Sequence, residues 1–189
     1  MNFDGVNDYV EVNALATPLA GSTNNFTIEF WMKADKNNQP SSIRTSMFSI
    51  NPITNNGNGL LIILGGTNSQ EGKLMIYDEG TSNTNADFKS TQVIGDLNCH
   101  HIAYVRNGGA GLIYIDGLQV GSHTTNYAIQ TTDLVSIGQE WDNLTTSPLS
   151  SQFFNGDIED FRIWTTSRTQ SQIQNNMNNE LIGNEVGLM

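Results

Sequence analysis

The sequence predicts an all-β protein, an antiparallel β-sandwich of two sheets with one short C-terminal helix. Three observations support this prediction: short apolar runs with polar alternation, turn residues between the runs, and many Asn, Thr, Ser and Gly residues. Alternation with a period of two is typical of a strand that buries one face. Small polar residues and Gly are typical of turns and sheet surfaces. A length of 189 residues suits one such sandwich.

Strand signals recur along most of the chain. In residues 26–33, apolar side chains occupy every second position from Phe26 to Met32, so we expect that face in the core. Asp116 and Gly117 separate two further runs, and this dipeptide is a strong signal for a tight hairpin between antiparallel strands. Other strand-like runs occupy residues 9–12, 46–50, 60–64, 73–77, 102–105, 112–115, 134–137 and 158–164.

Residues 169–181 have the pattern of a helix. Apolar residues recur at every fourth position from Ile173 to Leu181, and Ser167 or Thr169 is available as the N-cap. No change of composition marks a domain boundary, so we expect a single domain over residues 1–189.

Charge and composition limit the classes of partner that this protein can bind. The formal net charge of −11 comes from 19 acidic and 8 basic residues, and such a field repels phosphate backbones, so no nucleic acid partner is expected. No apolar run approaches the roughly 20 residues that span a bilayer, so no membrane insertion is expected. Cys99 is the one cysteine, which excludes an intrachain disulfide.

Four segments together resemble the laminin-G-like, concanavalin A-like jelly-roll family: residues 2–10, 26–33, 99–103 with 114–117, and 154–164. The resemblance implies a jelly-roll sandwich that binds a polysaccharide or another glycan, in an extracellular or cell-surface protein. Cys99 stands where the family usually has Trp. Residues 179–188 resemble the lead-in to a further module, so other domains of a longer parent chain are expected partners.

The sequence contains no recognisable catalytic arrangement. Glucanases related to this family place two Glu and one Asp at alternate positions of one strand, all facing the cleft. The nearest acidic group here is Asp157, Glu159 and Asp160, where strand alternation places Asp157 and Glu159 on one face and Asp160 on the other. The next residue on the first face is Phe161. We therefore predict no catalytic residue and no enzymatic activity.

Calcium is the expected metal, in a structural role. The resemblance implies a carboxylate from Asp160 on the last strand, with Asp4 and Asn7 or Asp8 as neighbours near the chain start. The turn from Asp4 to Asp8 is dense in oxygen ligands, of which Ca²⁺ needs six to eight. The same three turn residues also suit Asx turns without a metal, and the sequence favours neither alternative.

Glycan binding needs an exposed aromatic ring flanked by polar groups. Trp141 is the first candidate, because it opens a long polar stretch after a predicted strand. Trp31 and Trp164 lie inside strand patterns and are expected to have core or supporting roles. Trp31 shares the polar face of its strand with Glu29 and Lys33, so the alternative is that it lines a concave sheet surface. The remaining candidate ligand residues are Tyr127, Tyr77, Arg44, Glu140, Asp142 and Asn143. An adhesion or spacer module that contacts proteins is the second hypothesis, and an enzyme with an unrecognised site is the third.

Overall fold

Two antiparallel sheets of six strands each make up the computed structural model, which describes residues 1–21, 24–41, 44–53, 59–66, 71–79, 86–141 and 152–189. Sheet 1 contains, in spatial order, β1 (Asn2–Asp4), β12 (Asn155–Trp164), β3 (Phe26–Asp35), β8 (Asp96–Asn107), β9 (Ala110–Ile115) and β10 (Leu118–Thr124). Sheet 2 contains β2 (Val10–Glu11), β11 (Leu134–Ile137), β4 (Arg44–Asn51), β5 (Gly59–Gly65), β6 (Lys73–Glu79) and β7 (Phe88–Val93). The predicted all-β sandwich is confirmed.

The core lies between the sheets and follows the predicted alternation. Phe26, Ile28, Phe30 and Met32 of β3 are all buried there, as the period of two requires. The hairpin at Asp116 and Gly117 joins β9 to β10, with Ile115 paired to Leu118. The sequence pattern does not predict β7, whose side chains are mostly exposed and lack a regular alternation.

The predicted C-terminal helix is confirmed: it begins where expected and ends earlier than expected. Helix α2 (Gln170–Asn176) begins after Thr169, whose hydroxyl accepts from the Gln172 backbone in a capping box. Ile173 is buried against Ala103, Val105 and Tyr114, so α2 covers part of the outer face of sheet 1. A four-residue helix α1 (Ala16–Leu19) and 3₁₀ turns at Asn13–Leu15 and Lys36–Asn38 complete the described elements.

Strand β12 contains a bulge that the sequence pattern does not predict. Glu159 pairs with Trp31 and Arg162 pairs with Glu29, so two residues of β12 lie opposite one residue of β3. Asp160 has a φ of 50°, and its carboxylate accepts a 2.8 Å hydrogen bond from Arg162 Nε. Asp160 therefore reaches the outer face of sheet 1 together with Glu159.

The expected alternation at the acidic group is therefore wrong beyond Glu159. Phe161 does not share the outer face with Asp157 and Glu159. Its ring instead stacks on Phe30 at 5.5 Å, on the core side. The extra residue at the bulge shifts the pattern by one position, which strict alternation cannot represent.

Candidate functional site

An aromatic pair lies at the edge where β2 meets β11. Tyr9 directly precedes β2, and Trp141 follows β11 after a turn at Gly138 with a φ of 84°. The two ring centroids are 5.7 Å apart at an interplanar angle of 86°, an edge-to-face arrangement. Tyr9 is 39% exposed, and Trp141 is partly exposed. Sequence reasoning named Trp141 as a candidate but not Tyr9, whose only signal was its place at the start of the predicted strand over residues 9–12.

The backbone and a neighbouring ring fix Trp141. Its backbone N–H donates to Asn51 Oδ1 at 3.2 Å, at the end of β4. Tyr9 also contacts the buried Phe153 ring at 6.3 Å. Within the described part of the chain, no acceptor faces the indole Nε1 of Trp141, although that atom is shielded from water. Tyr9 and Trp141 thus form a supported aromatic surface with one hydrogen-bond donor.

Three other predicted ligand residues, Arg44, Glu140 and Tyr77, lie together. Arg44 at the start of β4 has Nη2 3.7 Å from Oε1 of Glu140, the residue before Trp141. Its guanidinium also lies 5.1 Å from the centre of the Tyr77 ring. Glu140 and Tyr77 are both buried, so in this arrangement they support Arg44. They do not present a free surface.

Tyr127 lies apart from these residues, in a buried polar network between the sheets. Its hydroxyl donates to Asp133 at 2.6 Å, and its backbone N–H donates to Asp78 at 3.0 Å. Only 5% of Tyr127 is exposed, which leaves little of the ring for a ligand. Burial raises the pKa of its hydroxyl and of the Asp133 carboxyl. The last two predicted ligand residues, Asp142 and Asn143, lie outside the described residues.

The structure does not bring the four predicted calcium ligands to one point. Asp4 pairs with Asn155, and Asp160 lies five positions further along β12, which is roughly 16 Å at the rise of a strand. The Asp160 carboxylate is engaged by Arg162. Among the described residues, no group of three or more His, Cys, Asp or Glu side chains is placed to hold a metal ion. These residues therefore do not fit a single calcium site.

The chain-start residues form the alternative structure, an Asx turn. Asp4 Oδ1 accepts from the backbone N–H groups of Val6 at 2.8 Å and Asn7 at 3.4 Å. The Asp8 carboxylate accepts from the backbone of Asp4 at 3.1 Å. Oxygen atoms remain available in this turn, and calcium binding there stays a prediction.

A second polar cluster lies on the outer face of sheet 1, beneath α2 and the segment that follows it. Glu29 Oε1 accepts from the Trp164 indole at 2.9 Å and lies 3.8 Å from Arg162, and Oε2 lies 3.8 Å from His101 Nε2. Burial raises the pKa of Glu29 and lowers the pKa of His101 to about 4. Both side chains are buried, so a substrate does not reach them.

A family model described as the concanavalin A-like lectin/glucanases superfamily matches residues 4–174. The chain belongs to this superfamily. The β-sandwich is the fold of this superfamily, and one fold carries different functions according to the residues at its sites.

Solved structures agree on the fold. A heptameric SAP-like pentraxin from Limulus polyphemus is 17% identical, with a TM-score of 0.67 over 92% of this chain and 78% of that chain. A putative carbohydrate binding protein from Bacteroides ovatus is 13% identical, with a TM-score of 0.63 over 100% of this chain and 50% of that chain. Domain 4 of an extracellular arabinanase from Geobacillus stearothermophilus, solved with arabinotriose, is 21% identical, with a TM-score of 0.55 over 82% of this chain and 66% of that chain.

These neighbours are mostly binding domains, and they include carbohydrate-binding proteins. Among curated proteins, no sequence matches this chain. In the described part of the chain, no helix combines the length and apolar character needed to cross a bilayer.

Proposed function

We propose that this chain is a non-catalytic carbohydrate-binding module that holds a glycan against Tyr9 and Trp141. The observation that carries the proposal is the partly exposed, edge-to-face aromatic pair at the edge of sheet 2, on a scaffold of the lectin superfamily. Sugar rings have apolar faces edged by hydroxyl groups, and they pack on such rings while polar neighbours take up the hydroxyls.

The polar neighbours of the pair support the same assignment. The Trp141 indole N–H has no acceptor in the described residues, so a ligand hydroxyl that accepted from it would satisfy a shielded donor. The Arg44 side chain is 18% exposed and lies beside Glu140, the residue that precedes Trp141 in the chain. Several contacts of this kind, each weak alone, give orientation and specificity to a small ligand.

Catalysis is not part of the proposal. The acidic group on β12 does not form an alternating triplet, since the bulge turns Phe161 into the core and Arg162 engages Asp160. We propose an extracellular or cell-surface location, by analogy with the arabinanase, which is described as extracellular. In such a protein the module would hold a polysaccharide near its parent chain and so raise the effective concentration.

A glycan array and affinity gels test the proposal with three variants. Trp141→Ala and Tyr9→Ala should each weaken binding by roughly 10-fold or more, because each removes a buried aromatic contact with the sugar. Tyr127→Phe is the matched aromatic control, since its ring is buried away from the pair, and it should leave binding unchanged. Binding to no glycan, or binding that neither alanine variant weakens, would refute the proposal. Release of reducing ends from a polysaccharide would refute the non-catalytic assignment.

A further inference from the structure

A groove lies on the outer face of sheet 1, whereas the Tyr9 and Trp141 pair lies at the edge of sheet 2. Two cavities meet there at Trp31 and Glu159, one of about 60 Å³ and one of about 550 Å³. The smaller is also lined by Met32, Lys33, Cys99 and Asp157, and the larger by Asp160 and residues 177–181. The larger volume falls within the roughly 300–1,000 Å³ typical of small-molecule sites.

Hydrogen bonds hold the wall of this groove in place. The Trp31 indole N–H donates to the backbone carbonyl of Met177 at 2.7 Å. Arg162 donates to the carbonyl of Asn176 at 2.8 Å, at the end of α2, and to the carbonyl of Asn179 at 2.7 Å, in the segment that follows. Both the aromatic ring and the facing segment are thus fixed to the sheet. A site that is ordered before binding loses less entropy when its ligand arrives.

The lining combines an aromatic ring with carboxylates. Trp31 is partly exposed, and Glu159 and Glu180 are exposed. Neither carboxylate has a hydrogen-bond or ion-pair partner within the described residues, whereas Asp160 is paired with Arg162. Protonated amines bind well both to an indole face and to carboxylates.

The charge of the groove selects among ligands. Asp157 and Glu159 lie near Lys33 in the smaller cavity, and Glu180 adds a further negative charge in the larger one. The groove therefore carries excess negative charge on a chain with a formal net charge of −11. An anionic ligand would be repelled and a cationic one attracted.

We propose that this groove is a second binding site, for oligosaccharides that carry free amino groups. A sugar ring would pack on Trp31 while its protonated amine lies between Glu159 and Glu180. The inference rests on the proposed function only in taking the ligand to be a saccharide. It uses a different sheet and different residues from the Tyr9 and Trp141 pair.

Titration calorimetry with glucosamine oligomers tests the site, at a mildly acidic pH where the amines of the ligand are protonated. Glu159→Gln and Glu180→Gln should each weaken binding by about 10-fold, since each removes a charge-assisted hydrogen bond. Added salt should weaken binding further. Fully N-acetylated oligomers of the same length lack the charge and should bind the wild type about 10-fold more weakly. Glu71→Gln removes an exposed carboxylate outside the groove, and this control variant should bind like the wild type.

Three outcomes would overturn this inference. The first is a failure of glucosamine oligomers to bind, and the second is binding with an affinity that neither Gln variant changes. A lysine-rich peptide could instead bind in a Glu159-dependent way while the amino sugar does not, which would make the groove a peptide site. Because Trp141→Ala is scored on neutral glycans and the Gln variants on amino sugars, the proposed function and this second site fail separately. The Gln variants lie at exposed positions, so their folding is expected to be intact.

Discussion

Replacing Arg106 by methionine should destabilise the sandwich by about 4 kcal/mol, because the change leaves a buried carboxylate without its counter-charge. Arg106 lies on β8 of sheet 1 and Asp78 on β6 of sheet 2, so their ion pair joins the two sheets. Both side chains are fully buried. Methionine keeps much of the length of the arginine side chain and packs well in apolar surroundings. The variant therefore removes the charge with little loss of volume.

The magnitude follows from the contacts of the pair. Arg106 Nη2 donates to both carboxylate oxygens of Asp78, at 2.8 and 2.9 Å, and Nη1 donates to the carbonyl of Tyr127 at 3.0 Å. Breaking one side of a buried pair costs about 3–5 kcal/mol. Asp78 would keep two donors, the Tyr104 hydroxyl at 2.8 Å and the Tyr127 backbone N–H. These remaining bonds place the expected cost inside that range.

Urea unfolding near neutral pH, followed by tryptophan fluorescence, measures the effect. The double variant Arg106→Met with Asp78→Asn removes both charges, and it should recover about 2 kcal/mol relative to the sum of the single variants. Lys89→Met removes an exposed cation and should change stability by less than about 0.5 kcal/mol. If Arg106→Met lowers the free energy of unfolding by less than about 1 kcal/mol, the reasoning is refuted, because even a solvent-exposed ion pair contributes up to that amount.

Three further predictions concern other parts of the fold. Burial lowers the pKa of His101 to about 4 from 6.5, so the unfolded chain binds the extra proton and stability falls by roughly 3 kcal/mol as the pH drops through that window. His101→Gln should make the free energy of unfolding in urea depend less on pH in this window. The raised pKa of Glu29 has the opposite effect on stability, and it is present in both proteins. An unchanged pH dependence in the variant would contradict the lowered pKa of His101. Gly138→Ala should lower the melting temperature by several degrees, because a Cβ there would lie 2.5 Å from the Phe3 ring at a φ of 84°, and an unchanged melt would count against the turn. Calcium that binds at the chain start should raise the melting temperature, and EDTA should reverse the increase. Asp160→Asn should show the same increase with calcium. Loss of the increase in that variant would restore Asp160 as a calcium ligand.

Local signals in the sequence predict much of the fold. Alternation from Phe26 to Met32, the dipeptide Asp116 and Gly117, and the N-cap at Thr169 each depend on neighbours within a few positions of the chain. All three predictions are confirmed. The bulge at Asp160 is different, because an inserted residue is defined only by the partner strand, which the local pattern does not contain.

The candidate site depends on contacts between distant positions, and prediction was weaker there. Trp141 could be found from its place after a strand, but its partner Tyr9 is 132 positions away and reaches it only because β2 pairs with β11. Tyr127 looked like a loop aromatic, yet Asp78 and Asp133 hold it in the interior. The Trp31 groove needed the segment after α2, whose contact with the Trp31 indole spans 146 positions. Contacts between residues so far apart in the chain produce no periodic pattern in a single sequence.

The bulge in β12 makes Asp160 a residue that can be removed as well as replaced. At the bulge, two residues of β12 lie opposite one residue of β3. Deletion of Asp160 would therefore leave Phe161 opposite Phe30 and Arg162 opposite Glu29. Every other side chain of the strand would keep its face and its partner. The deletion would take one carboxylate out of the groove wall and release the guanidinium that fixes the segment after α2. A change of chain length by one residue could thus alter the charge and rigidity of this surface while the sandwich below it stays as it is.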